Sequence, residues 1–162
     1  MKTIKKHILM EYLIGIKNSH KNVNIAEYKY WNKIMEIEHL TFSNAPERVG
    51  PFSHAVKAGN FLFVTGQMPT QKNGKKKLVV GGIEIQTKQV MENLRDVLKE
   101  ADSDFDKVIF ARVYLLNFQD FEKMNTVYES YFNKNKLPAR TCIGVTGLAV
   151  GASVEIDLIA AT

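Results

Sequence analysis

The sequence predicts an α+β domain, a two-layer fold in which a mixed β-sheet carries two helices on one face. Three observations predict it. Strand-like runs bracket two stretches of helical periodicity, in the order β-β-β-α-β-α-β-β over residues 37–162. The last run, Ser153-Val154-Glu155-Ile156-Asp157-Leu158, alternates apolar and acidic side chains, as a strand with two unlike faces does. Between two β-rich segments stands Gly59-Asn60, a two-residue hairpin signal.

Taken in order, Ile37, Leu40 and Phe42 open the domain as a strand closed by the turn-forming Asn44-Ala45-Pro46. Ser53–Ala58 and Phe61–Thr65 form the two arms of the hairpin. A glycine- and lysine-rich loop then runs from Gln71 to Gly82, and its Lys75-Lys76-Lys77 run reads as a solvated tip. Thr87, Val90, Met91, Leu94, Val97, Leu98 and Ala101 recur at helical spacing and predict an amphipathic helix. Asp106–Asn117, with Val108, Phe110 and Val113, reads as the next strand. Phe121, Met124, Tyr128, Tyr131 and Phe132 make a second helical stripe. Ala139–Val145 and Ala152–Ala161 complete the sheet, broken by Gly147 and Gly151. With both helices on one face, the other face needs a cover, and self-association is the expected one.

Composition narrows the class. A chain of 162 residues matches one domain and removes roughly 70% of its unfolded surface from water on folding. It is 45% hydrophobic and 24% charged, which excludes wholesale disorder and fibrous arrays. One cysteine, Cys142, excludes an internal disulfide framework and a multi-cysteine zinc site. No apolar run is long enough for a transmembrane helix, so no membrane partner is expected.

The net charge of +5 is unevenly spread. Residues 1–36 carry +4, from seven lysines against Glu11, Glu27 and Glu36, and residues 37–162 carry only +1. The folded part therefore lacks the broad basic footprint of a nucleic-acid binder. Residues 1–36 read as an N-terminal extension outside the domain. Their basic-then-apolar order resembles a secretory signal, but no small-residue cleavage site follows Gly15. The lysines fit an organellar transit segment; the absence of arginine and the single Ser19 do not. The reading set against both is a lineage-specific appendage, either a helix lying on the domain or a segment left over from a generous start codon. The chain is read as cytoplasmic, with a mitochondrial or plastid destination as the alternative that this extension offers.

Conventional catalytic constellations are missing. There is no GxGxxG and no GxxxxGK[ST], so dinucleotide and P-loop readings fall. His7, His20, His39 and His54 are not at ligand spacing, and no metal is expected. Cys142 has no histidine base near it in sequence and reads as a small buried hydrophobe. What remains is Leu137-Pro138-Ala139-Arg140-Thr141-Cys142, with an arginine at the start of a strand. Its planar fork of donors suits a bidentate grip on a small carboxylate, or a salt bridge at a surface or interface. Glu155, on the next strand in sequence, is open to two roles: that bridge's partner, or a base that activates water.

Six short strings, in order, then carry a resemblance. They are Ala45-Pro46 with Gly50-Pro51-Phe52-Ser53; Val64-Thr65-Gly66-Gln67-Met68-Pro69; and Gly81-Gly82 with Gln89, Asn93 and Leu94. Asn125-x-x-Tyr128-x-x-x-Phe132, Pro138-Ala139-Arg140-Thr141-Cys142 and Val154-Glu155-Ile156-Asp157 follow. Residues 37–162 resemble the reactive intermediate deaminase family, also called the YjgF or liver perchloric-acid-soluble protein family. The extension is not covered.

The resemblance implies a chorismate-mutase-like fold and a homotrimer with pockets between neighbouring subunits. It implies hydrolysis of 2-imino acids, such as 2-iminobutanoate and 2-iminopropanoate, to 2-oxo acids and ammonia, with no cofactor. It implies that Arg140 grips the substrate carboxylate and that Glu155 lies beside the reacting end with a water. Phe52, Thr65, Gly66 and Cys142 are expected around the substrate. Two positions depart from the family pattern: Phe52 is often tyrosine, and Leu148-Ala149-Val150-Gly151 replaces a common Leu-Pro-Lys-Gly. Two other functions are carried alongside: an endoribonuclease or translation inhibitor acting on single-stranded RNA, and a small-ligand-binding trimer without turnover.

Overall fold

The computed structural model describes residues 36–72 and 76–162. The readings placed on the N-terminal extension lie outside the described residues, as does part of the lysine-rich loop tip. Among the described residues, six strands and two helices follow in the expected order: β1 (Ile37–Leu40), β2 (Ala55–Ala58), β3 (Phe61–Gln67), α1 (Ile83–Glu100), β4 (Val108–Leu115), α2 (Phe121–Glu129), β5 (Ala139–Gly144) and β6 (Val154–Ala161). They form one mixed sheet in the order β1-β2-β3-β6-β4-β5, parallel only between β4 and β5. The fold class is α+β, as the sequence predicts.

The alternation in β6 decides how the sheet is used. Val154, Ile156, Leu158 and Ala160 are all buried toward the helices. From α1 they meet Val90, Met91, Leu94, Val97 and Leu98, also buried. Each such large side chain contributes about 1.5–3 kcal/mol of hydrophobic stabilisation. α1 starts earlier than its apolar stripe, at Ile83, because Gly81 adopts φ +146° and turns the loop into the helix. Gln86 ties that end to the sheet by accepting the Ser153 N–H at 2.9 Å.

The opposite face exposes large apolar side chains beside a polar network. Phe61 and Phe63 on β3 are 49% and 45% exposed, and Ile143 on β5 is similarly uncovered. This is the face for which the sequence calls for a cover. Asp157, expected there beside Glu155, is not left to water. It is 8% exposed, accepts Arg112 Nε at 2.8 and 3.0 Å, and accepts the Tyr114 hydroxyl at 3.1 Å.

Several boundaries move, each for a local reason. β4 is shorter than Asp106–Asn117, because 3-10 turns flank it at Phe105–Lys107 and Phe118–Asp120. Asp104 and Asn117 side chains cap those turns by accepting the N–H groups of Asp106 and Gln119. α2 ends at Glu129, so Tyr131 and Phe132 fall in the turns after it. Phe132 still packs on Tyr128 and Phe105. β2 opens at Ala55 rather than Ser53. Just before it, the buried His54 ring accepts the Phe42 N–H at 2.9 Å through Nδ1, so Nε2 carries the proton and donates to the Pro46 carbonyl at 2.9 Å.

Candidate active site

Two clusters of candidate residues form, on the two faces of the sheet. The first belongs to β5. Its register pairs Arg140 with Ala111 and Cys142 with Val113, both inward-facing positions of β4, so both side chains point to the helix layer. There α2 offers a matching face. The Arg140 guanidinium carbon lies 4.7 Å from the Tyr128 ring centre and 5.7 Å from that of Phe121. Such stacking holds a guanidinium flat and leaves its donor edge free. A cleft of about 470 Å³ opens beside it, between the Leu137-Pro138 lead-in to β5 and the α2 residues Glu122, Asn125 and Tyr128. Among the described residues Arg140 makes no ion pair.

Cys142 is half-buried on the same face. Burial pushes its thiol up, and the nearby Arg140 charge only partly opposes this. A thiol held protonated is a poor nucleophile.

The second cluster gathers on the outer face, around Glu155. Register places Glu155 opposite Tyr114, half-buried, and its carboxyl is raised above the usual range by burial and then by the Asp157 charge. A carboxylate with a raised pKa is a better base near neutrality. Its neighbour is Gly66, where β3 bulges between Val64 and Gln67. A Cβ at position 66 would strike Glu155 Oε1. Glycine is therefore required for the carboxylate to lie against the strand. Thr65, in the same bulge, donates its N–H to the His54 carbonyl at 3.1 Å. Phe52 joins Gly66, Gln67 and His54 around a cavity of about 10 Å³, the size of one water.

The structure thus sets Glu155 against Gly66, which follows Thr65 in the bulge and shares a small cavity with Phe52, and sets Arg140 near Cys142, but does not bring the two groups together within one chain. The Arg140–Glu155 salt bridge, one of the readings left open by the sequence, is not formed. Three features escaped sequence reasoning. The His54 clamp and the Arg112–Asp157–Tyr114 network depend on strand neighbours that only the topology supplies. The third is the α2 wall of the cleft, where the Asn125 and Tyr128 motif was visible but carried no role. Among the described residues, no group of three His, Cys, Asp or Glu side chains could hold a metal ion, and no helix is long and apolar enough to cross a membrane.

The α+β sheet is shared with known proteins. The family model described as Endoribonuclease L-PSP matches residues 42–162. A RutC family protein of Pyrococcus horikoshii is 46% identical over 118 residues, covering 72% of this chain and 91% of that one. The yeast protein MMF1, described as mitochondrial, is 35% identical over 116 residues, covering 72% and 78%. Among solved structures, a Rid family protein from Yersinia pestis superposes with a TM-score of 0.74 at 33% identity, over 78% of this chain and all of that one. The chain belongs to the Endoribonuclease L-PSP family, the group that also carries the names YjgF, RutC and Rid.

Proposed function

We propose that this protein hydrolyses reactive 2-imino acids, 2-iminobutanoate and 2-iminopropanoate, to 2-oxo acids and ammonia. The observation that carries this reading is the Arg140 guanidinium, held over the Tyr128 and Phe121 rings at the wall of an open cleft. A fixed fork of this kind takes a small carboxylate in bidentate fashion. Arg140 then orients the acid so that C2 faces water. With the imine nitrogen protonated, C2 is electrophilic; water adds, its proton passes to Glu155, and the carbinolamine expels ammonia as the carbonyl forms. Water supplies the carbonyl oxygen, and no redox step is needed.

Glu155 on the opposite face points to a site shared between chains. In this reading a homotrimer covers the Phe61 and Phe63 face and sets Glu155, Gly66, Thr65 and Phe52 of one chain near Arg140 and Cys142 of the next. Such closed symmetry gives three equivalent pockets. The mitochondrial description of the yeast relative supports an organellar reading of residues 1–36, with the cytoplasm as the alternative.

A second reading, endoribonuclease, is favoured by the family's own description. Against it, His54 is buried with both ring nitrogens engaged, and the charge of residues 37–162 is close to neutral. The deciding experiment couples a threonine dehydratase to the full chain and follows trapping of the imine by semicarbazide. Faster imine loss with wild type, and not with Arg140→Lys, supports the deaminase. Cleavage of single-stranded RNA without any effect on the imine favours the alternative.

A further inference from the structure

Of three buried side-chain polar atoms without a hydrogen-bond partner among the described residues, two line the Arg140 cleft. They are Asn125 Oδ1 and the Tyr128 hydroxyl, three residues apart and so on one face of α2. Buried hydroxyls are nearly always paired, because an unpaired one forfeits the hydrogen bonds it made to water. Tyr128 is only 5% exposed, so bulk water does not meet that need.

We propose that Tyr128 is a ligand-binding residue of this cleft, its hydroxyl donating a hydrogen bond to the carboxylate that Arg140 grips. The proposal rests on the imino-acid reading above and extends it. Its geometry is that of one unit: the Tyr128 ring is the shelf on which the guanidinium lies, at 4.7 Å. Whatever anion sits on the fork is therefore close to the same phenol. A bidentate arginine uses one lone pair on each carboxylate oxygen, so a third donor finds an acceptor. Burial pushes the phenol up to about 12, with Arg140 opposing, so at neutral pH the group carries its proton and can donate. Packing does not require the hydroxyl. A phenylalanine here would stack equally on Arg140 and Phe132, without an orphaned polar atom.

Tyr128→Phe removes the hydroxyl and keeps the ring. Calorimetric titration of the full chain with 2-oxobutanoate, the stable product acid, reads the effect beside a thermal melt. The expected result is binding weaker by about tenfold, with a melting temperature equal to or above that of wild type. A lower melting temperature with unchanged binding would give the hydroxyl a purely structural role and overturn the proposal. If Arg140→Lys loses the ligand while Tyr128→Phe binds like wild type, the Tyr128 assignment falls and the carboxylate site stands. If wild type itself does not bind 2-oxobutanoate, the site reading fails and Tyr128 fails with it.

Discussion

Arg140 and Glu155 lie on opposite faces of the same sheet. Arg140 pairs with Ala111 and shares its helix-side orientation, whereas Glu155 pairs with Tyr114 and faces outward. Two residues so placed can serve one substrate only if different chains supply them. Arg140→Lys keeps the charge but loses the planar fork and its stack, so a loss of roughly ten- to hundredfold in turnover is expected. Glu155→Gln should be similarly poor. Co-expressed with separate tags and purified as mixed assemblies, the two defective chains should regain activity. In the proposed trimer every mixed assembly has one site of three that pairs an intact arginine with an intact glutamate, so the purified mixture should show about a third of wild-type activity. Mixed assemblies no more active than their parents would refute the shared site.

Glu155 also makes a prediction about stability. Burial, and then the Asp157 charge, raises its folded-state pKa above the ordinary carboxylate value. The folded protein therefore binds this proton more readily than the unfolded chain. Its contribution is most favourable below the ordinary carboxylate pKa, and is lost as pH rises through the folded value. Glutamine does not ionise, so Glu155→Gln should melt at or above wild type at neutral pH. That advantage should shrink as pH falls into the carboxylate range. Melts across that range check it, and a difference independent of pH would contradict it.

Much of this was legible along single strands. The Val154-Ile156-Leu158 face, the Gly59-Asn60 hairpin and the α1 stripe each follow from local period and turn chemistry, and each appears as expected. The site was legible only as a set of residues. β5 and β6 are adjacent in sequence but not in the sheet, because β4 stands between them. Which face each side chain takes depends on that order, which the period of one strand does not encode. The burial of Asp157 was hidden for the same reason, since Arg112 and Tyr114 come from the neighbouring strand.

Gly66 is expected to matter through Glu155 rather than through its own flexibility. An alanine Cβ would meet the glutamate's Oε1, the movable end of a side chain, so the fold should tolerate Gly66→Ala with a cost of about 1 kcal/mol or less. The displaced carboxylate is the larger consequence, since a shift of about 1 Å can cost roughly a hundredfold in rate. The pair should be strongly non-additive: adding Gly66→Ala to Glu155→Ala should change little, because the clash is already gone. A double-mutant cycle on turnover reads this directly. Additive losses would mean that Gly66 acts by another route.

The last prediction concerns residues 1–36. β1 begins at Ile37 and pairs along its full length with β2, and the family match begins at residue 42. Every residue proposed for the pocket lies beyond that point. A chain starting at Ile37 should therefore remain soluble, self-associate and keep deaminase activity within about twofold of the full chain, a difference of under 0.5 kcal/mol in barrier. Its charge falls from +5 to +1, so salt-sensitive retention on RNA or anionic surfaces should largely disappear. Sedimentation, the coupled imine assay and RNA retention at two salt concentrations measure the three properties separately. Loss of assembly or activity would make the extension part of the domain; RNA retention unchanged by the deletion would place the binding surface within residues 37–162.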